Sequence, residues 1–344
     1  MTTESHSAEK SSSVVAPEVP DFDLNFNFAY GAPSFHAKFR SEVDDFVVDE
    51  DLPAPLSGSG EHLCLKILKR GENTGWVAEQ LAKLFGIRPV DVGFCGLKDR
   101  HAKTTQWFSL HLPKPSDEHE HFLGNLAERL DAQVEVLEVT RHNKKLRRGG
   151  HQANRFVITL RDVADVEAQK PKLEQISAMG VPNYFGEQRF GNQGSNLYWA
   201  YRWMSLGETI RNRGKKVMAQ SAARSWLFNR VLSARVADAT WALERFDEPA
   251  TGPLWGRGRP VVSAQLAEFE QGILQEWSNW QHVLEHAGLS QERRALVLLP
   301  QKMTWEIEGD KLVLGFALPP GTFATAVLRE LCVLDNQSAP ALPQ

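Results

Sequence analysis

Hydrophobic and polar residues change rhythm several times along this chain, and each rhythm predicts a different element. The run His62-Leu63-Cys64-Leu65-Lys66-Ile67-Leu68-Lys69 reads as a strand. A turn through Gly71 follows, then a helix with its N-cap at Thr74. Trp76, Val77, Leu81 and Leu84 fall on one face of it, and Gly86 can end it in a left-handed conformation. Phe94 and Cys95 end a second strand, residues 96–103 form a loop, and residues 105–112 resume an alternating strand. Phe156-Val157-Ile158-Thr159-Leu160 and Lys311-Leu312-Val313-Leu314-Gly315-Phe316-Ala317-Leu318 are further strands, the last with clear period two. Between them, from about residue 200 to 300, the chain is rich in Trp, Ala, Leu and Arg with helical periodicity in 221–236 and 263–288. That stretch predicts a mainly helical inserted region. Residues 1 to about 25 are polar, include Ser11-Ser12-Ser13, Pro17 and Pro20, and lack the apolar density that offsets ordering entropy. They are expected to be disordered.

Composition narrows the class without naming a function. The 344 residues, 42% of them hydrophobic, allow roughly two domains at about 150 residues each. No run approaches the ~18 consecutive apolar residues of a membrane helix, and the start has no apolar signal core. A cytoplasmic protein with no membrane partner is expected. Cys64, Cys95 and Cys332 are far apart and form no Cys-x-x-Cys pair, so buried free thiols are expected rather than disulfides or a thiolate metal site. Net charge is −4, which argues against indiscriminate nucleic-acid binding. Its distribution argues otherwise. From Val139 to Leu160 there is no acidic residue, while Arg141, Lys144, Lys145, Arg147, Arg148 and Arg155 are present. A second acid-free window, Thr209 to Ala237, carries Arg211, Arg213, Lys215, Lys216, Arg224, Arg230 and Arg235. Two such windows in a mildly acidic chain read as contacts to backbone phosphates, against the plainer alternative of two solvated faces.

The densest chemistry lies in Gly96-Leu97-Lys98-Asp99-Arg100-His101-Ala102-Lys103-Thr104-Thr105-Gln106, where one carboxylate sits among cations. Opposite charge favours a carboxylate's anion, which suits a nucleophile better than an acid. The structural alternative for Asp99 is a turn residue that caps its own backbone. Glu118-His119-Glu120-His121 superficially suggests metal ligands, but it follows a Pro-rich loop and lacks the helical His-Glu-x-x-His spacing. No metal is expected there. A phosphate-binding Gly-x-x-x-x-Gly-Lys-Ser/Thr loop and a dinucleotide fingerprint are both absent, so no nucleotide or other cofactor is implied.

The segment around Asp99 resembles the catalytic signature of the tRNA pseudouridine synthase D family. Three further blocks resemble that family in the right order: Asp45-Phe46-Val47-Val48-Asp49-Glu50, the run from Val181 to Gly191 and the run from Leu318 to Leu331. Four ordered blocks are far more specific than one short motif. The resemblance implies an α+β fold, with a curved, mostly antiparallel sheet as catalytic domain and a mainly helical α/β second domain inserted before the last segment. Placed on this chain, the catalytic domain covers residues 26–180 and 303–336 and the insert covers 181–302. A monomer is expected.

The activity so implied is isomerisation of a tRNA uridine, uridine 13 of the D arm, to pseudouridine. The N1–C1′ bond breaks, the base turns while still held, and C5 bonds to C1′ before losing its proton. Asp99 is the essential carboxylate; it can attack C1′ or C6 or abstract a sugar proton, and the sequence leaves these routes open. The resemblance makes Arg40, Phe46, Lys98, Asn154, Phe156 and Phe323 substrate-binding candidates. Arg40 stands where the family typically has a Lys thought to pair with the aspartate, and Lys38 close by is the rival partner. The aromatic rings are candidates because an unstacked base needs an apolar surface, and the Asn154 amide because it can read the uracil edge. For each Phe in a strand-like run, ordinary core packing is the competing role. Two other functions compete: a tRNA-binding or folding module without chemistry, and a hydrolase that releases the base. The latter class usually employs two carboxylates, and one stands out here.

Overall fold

The computed structural model describes residues 20–114, 126–129 and 134–337. Ten of the strands join in one mixed, mainly antiparallel sheet. In chain order they begin with β1 (His36–Phe39), β2 (Phe46–Asp51), β3 (His62–Arg70), β4 (Val92–Phe94), β5 (Lys103–His111), β6 (Val134–His142) and β7 (Ala153–Arg161). Two small ribbons follow, β8 (Val181–Pro182) against β11 (Val297–Leu298) and β9 (Thr251–Leu254) against β10 (Glu292–Ala295). The large sheet is completed by β12 (Gln301–Glu308), β13 (Lys311–Leu318) and β14 (Val333–Asn336). Its order is β12-β13-β7-β2-β5-β3-β6, with β4 on β5 and β1 joining β14 to β7. The expected α+β architecture, a mainly antiparallel sheet with helices, is the one observed.

One exception to the antiparallel pattern matters. β2 and β5 pair in parallel, with Val47 opposite Lys103 and Val48 opposite Thr104. Parallel neighbours start at the same edge, so the segment entering β2 and the loop entering β5 lie side by side. That brings Arg40 beside Asp99 although 59 residues separate them.

Period two decides what each strand buries. Phe46, Val48, Ile158, Leu160, Leu312, Leu314 and Leu318 turn one way into a core closed by helices Lys170–Met179 and Ala324–Leu331. Leu63, Leu65, Ile67, Phe108 and Leu110 pack under helix Thr74–Leu84 through Val77 and Leu81. Full burial of each large side chain contributes roughly 1.5–3 kcal/mol. A third cluster is built on helix Arg213–Ala237, whose Trp226, Leu227, Phe228, Val231 and Leu232 are buried against helix Ser195–Met204 and Trp280.

Several local expectations need correction. The helix after Gly71 starts as predicted, but its cap is Asn73, whose side chain accepts from the Trp76 amide. Thr74 is buried and its hydroxyl is engaged elsewhere. The periodic stretch 263–288 is two helices, Ala264–Ile273 and Ser278–Glu285, joined by a tight turn at Gln275–Trp277. Leu274 and Trp280 both turn inward across that break, so the pattern continues while the helix does not. The 221–236 helix begins two turns earlier, at Arg213, because Asn212 caps a polar, exposed first turn that carries no apolar stripe. Residues 20–25 were expected in the disordered tail, yet Phe22 packs edge-on to Trp226 at 5.3 Å. Residues 1–19 and the Glu118–His121 segment lie outside the described residues. The three thiols are buried, and burial pushes Cys64 and Cys332 up to about 12 and Cys95 up to about 11. Among the described residues no helix is long and apolar enough to cross a membrane.

Candidate active site

A cleft of about 930 Å³ opens where the loops entering β2, β5 and β7 meet the turn after β13 and the Gln188–Arg189 segment. Arg40, Phe46, Lys98, Asp99, Asn154, Phe156 and Phe323 all line it, although they come from five separate stretches of chain. Asp99 is the sole carboxylate among the described residues that line it.

Asp99 uses its two oxygens differently. Its Oδ1 accepts from the His101 amide at 3.2 Å, so the turn-capping role weighed above is real. Its Oδ2 accepts from Arg40 at 2.6 Å, and about 29% of its side chain remains exposed to the cleft. The cations that flank Asp99 in sequence are committed elsewhere: Lys98 to Glu50, Arg100 to the Gly71 carbonyl and Lys103 to Asp44. The rival partner Lys38 pairs with Asp162 at the surface, 2.6 Å away. Arg40 is therefore the partner. It has φ of 60°, a left-handed conformation that costs a non-glycine residue on the order of 1–3 kcal/mol. The strained turn lays its guanidinium over the rings of Phe39 and Phe46, 4.7 and 4.3 Å from the centroids. Burial lowers the Arg40 pKa from its ordinary value, and Asp99 opposes that shift.

Below the loop lies a buried polar platform. The Glu50 and Lys98 side chains are 0% and 4% exposed and form an ion pair of 2.6 Å. Thr74 accepts from the Lys98 amide at 2.9 Å and donates to Gln106, whose amide reaches the Gly96 carbonyl. Lys69, wholly buried, donates to the backbone carbonyls of Glu72 and Asp99, the latter at 3.3 Å. A Cβ at Gly96 would lie 3.0 Å from Lys98 Nζ, so a larger residue there would have to push the buried ion pair by a few tenths of an ångström. Lys98, expected to bind substrate, thus has its ammonium tied down beneath the loop.

Phe46 and Phe156 are 5% and 7% exposed, belong to the sheet core and also wall the cleft. A ring ladder runs Phe39, Phe46, Phe156, Phe316 with centroids 5.4, 5.9 and 5.5 Å apart. Core packing and cleft lining are one role here. Phe323 also lines the cleft, near Phe185, with the Arg189 guanidinium 5.8 Å from its ring. Asn154 shares a hydrogen bond of 3.2 Å with His151 Nε2, while its Oδ1 is buried without a protein partner. Burial, then the Lys98 charge, lowers the His151 pKa and favours neutral imidazole.

Glu50, Lys69, Gln106 and His151 were not among the expected site residues. Three of them had a signal in the strand phase. Lys69 continues the inward series Leu63, Leu65, Ile67, Glu50 continues Phe46, Val48, and Gln106 shares its phase with Phe108 and Leu110. A polar residue on an apolar face is expensive unless paired, so its position alone marks a buried network.

Comparison with known proteins fits this arrangement. The model of tRNA pseudouridine synthase D matches residues 25–204 and 238–331. The chain belongs to the tRNA pseudouridine synthase D family. A Cellvibrio japonicus tRNA pseudouridine synthase D is 48% identical over 324 residues, covering 92% of this chain and 95% of the relative. One from Nitrosococcus oceani is 43% identical over 349 residues, covering 92% and 96%. A crystal structure of a Methanosarcina mazei protein assigned to the same family has a TM-score of 0.65 at 19% identity, covering 88% of this chain and 95% of that one, which establishes the shared fold. Membership in the family makes pseudouridine synthase chemistry, an isomerisation, the activity against which the cleft is to be understood.

Proposed function

We propose that this protein isomerises uridine 13 in the D arm of tRNA to pseudouridine, with Asp99 as the essential carboxylate. The observation that carries the reading is the lone cleft carboxylate held by a buried arginine at 2.6 Å. Glycoside hydrolysis usually needs a second carboxylate on the far side of the bond, and the lining residues supply none. The reaction conserves every atom: N1–C1′ breaks, C5–C1′ forms, and the proton lost from C5 balances the one gained at N1. Arg40 fixes the orientation of Asp99 Oδ2, which leaves the carboxylate aimed without a conformational search. Phe156 and Phe323, both lining the cleft, give an extruded base an apolar seat in place of its lost stacking partners. The unpartnered Asn154 Oδ1 suits the N3–H donor of uracil and would meet an acceptor in cytosine.

The division into a catalytic unit, 26–180 with 303–336, and an insert, 181–302, is proposed on the same footing. Its support is the separate helical core around Trp226 and Phe228, against which the cleft-lining Phe323 packs.

The test uses purified protein and a tRNA transcript bearing uridine 13. Wild type is expected to convert that uridine with no change in RNA mass, and Asp99→Asn to convert none while retaining its circular dichroism and its tRNA affinity. Turnover by Asp99→Asn sinks the assignment, and release of free uracil would make the protein a hydrolase.

A further inference from the structure

Lys69 is a lysine whose ammonium is wholly buried, meets no carboxylate among the described residues and touches the backbone carbonyl of Asp99. It occupies a row of side chains that crosses five strands, Phe316, Phe156, Val48, Thr104 and Lys69, each opposite the next in register. Opposed residues in a sheet share a face, so Lys69 rises from the same floor as the rings of the cleft. The floor is apolar at one end and cationic at the end beneath the catalytic loop. Such burial is costly, since an ammonium loses its hydration and gains only two carbonyl oxygens. Structural anchoring of a turn does not need a charge; the neutral network of Thr74 and Gln106 already does it for Lys98 and Gly96.

We propose that Lys69 is a positioning residue for the isomerisation, acting through Asp99 by pinning its backbone from below and by setting a positive potential at its carboxylate. The inference rests on Asp99 being the essential carboxylate. Burial depresses the Lys69 pKa to about 8, and the charged groups facing it are Asp99 and Lys98 on the loop and Glu72 on the turn after β3. Asp99 and Glu72 favour the protonated form, while Lys98 opposes it. Turnover therefore falls as pH rises through the range in which Lys69 loses its proton.

The experiment measures kcat and KM for tRNA against pH in wild type, Lys69→Met, Lys69→Arg and Asp99→Asn, with folding checked by circular dichroism. Wild-type kcat is expected to decline between about pH 7 and about pH 9. Lys69→Met is expected to lose kcat on the order of tenfold or more at neutral pH, with KM little changed and the alkaline decline absent. Lys69→Arg, which keeps its charge throughout, is expected to recover part of kcat and also to lack the decline. A flat wild-type profile overturns the proposal whether or not the variants fold, and so does a decline that persists in a folded Lys69 variant. An equal fall of kcat with a rise of KM overturns it too. Activity in Asp99→Asn would overturn the underlying reading instead, which keeps the two failures apart.

Discussion

At the scale of the residue, the site is built by moving charge across long sequence distances. The four basic residues nearest Asp99 in sequence looked like its electrostatic setting, yet its ion partner is Arg40, delivered by a parallel strand pair. No local pattern encodes that, because parallel pairing depends on which strands become neighbours. Phe156 shows the opposite case, where two roles coincide. It is 7% exposed and packed between Phe46 and Phe316, so Phe156→Ala removes core volume and is expected to destabilise the fold by about 3–5 kcal/mol. Phe156→Leu keeps an apolar side chain of somewhat smaller volume and loses the ring. It is expected to melt within a few degrees of wild type while turning over more slowly, with tRNA affinity nearly unchanged, since phosphate contacts carry most of that affinity. Equal turnover by a folded Phe156→Leu would remove the ring from the mechanism. Lys69 supplies a stability test of the same kind. Its pKa is lowered from 10.5 to about 8 in the fold, so between those values the unfolded chain binds the extra proton. Stability from this group then rises with pH across that window. The wild-type melting temperature is expected to gain on that of Lys69→Met as pH rises from about 8 to about 10, opposite in direction to the activity. A constant difference would mean that the lysine is not depressed.

At the scale of the element, legibility followed the strength of the pattern. β13 was readable to its ends because Leu312, Leu314, Phe316 and Leu318 alternate without a break. The helical cap at Thr74 was misread because two adjacent residues can cap, and the tertiary contact with the Lys98 amide claimed Thr74 and left Asn73 to the helix. The inward phase of Lys69 and Glu50 was visible but unreadable as a network, since partners on other strands cannot be seen along one. The basic windows divide in the same way. Arg235 is buried and donates to the carbonyls of Thr240 and Leu243, Arg224 is tied to Ser290 and Glu292, and Arg155 pairs with Asp51. Arg235 and Arg224 are held by the fold, whereas Arg155 is exposed and makes a surface pair. Lys144, Arg147 and Arg148 stay exposed, Arg148 on the cleft rim over Phe94, and Arg211, Arg213, Lys215 and Lys216 are exposed at the start of helix Arg213–Ala237. Binding should weaken with salt with a slope of about 0.9 per phosphate on duplex RNA and about 0.7 on single strands. Replacing Lys144, Arg147 and Arg148 by Gln is expected to flatten that slope by roughly two to three units, measured by tRNA binding across a salt series. An unchanged slope would move the RNA off this rim.

At the scale of the whole molecule, residues packed on the sheet core and on a separate helical core line the same cleft, and Asp99, Phe156 and Phe323 are among them. The composition hinted at none of this; a net charge of −4 hides a basic rim because acidic residues are spent elsewhere on the surface and in buried pairs. The central claim is that Asp99 makes this protein the source of one pseudouridine in tRNA. The most direct measurement is nucleotide-resolution pseudouridine mapping of tRNA from cells that lack the protein and are supplied with wild type or with Asp99→Asn at equal abundance. A single D-arm position, uridine 13, is expected to gain pseudouridine with wild type and to stay uridine with Asp99→Asn. Pseudouridine restored by Asp99→Asn, or position 13 left unmodified by wild type, would contradict it.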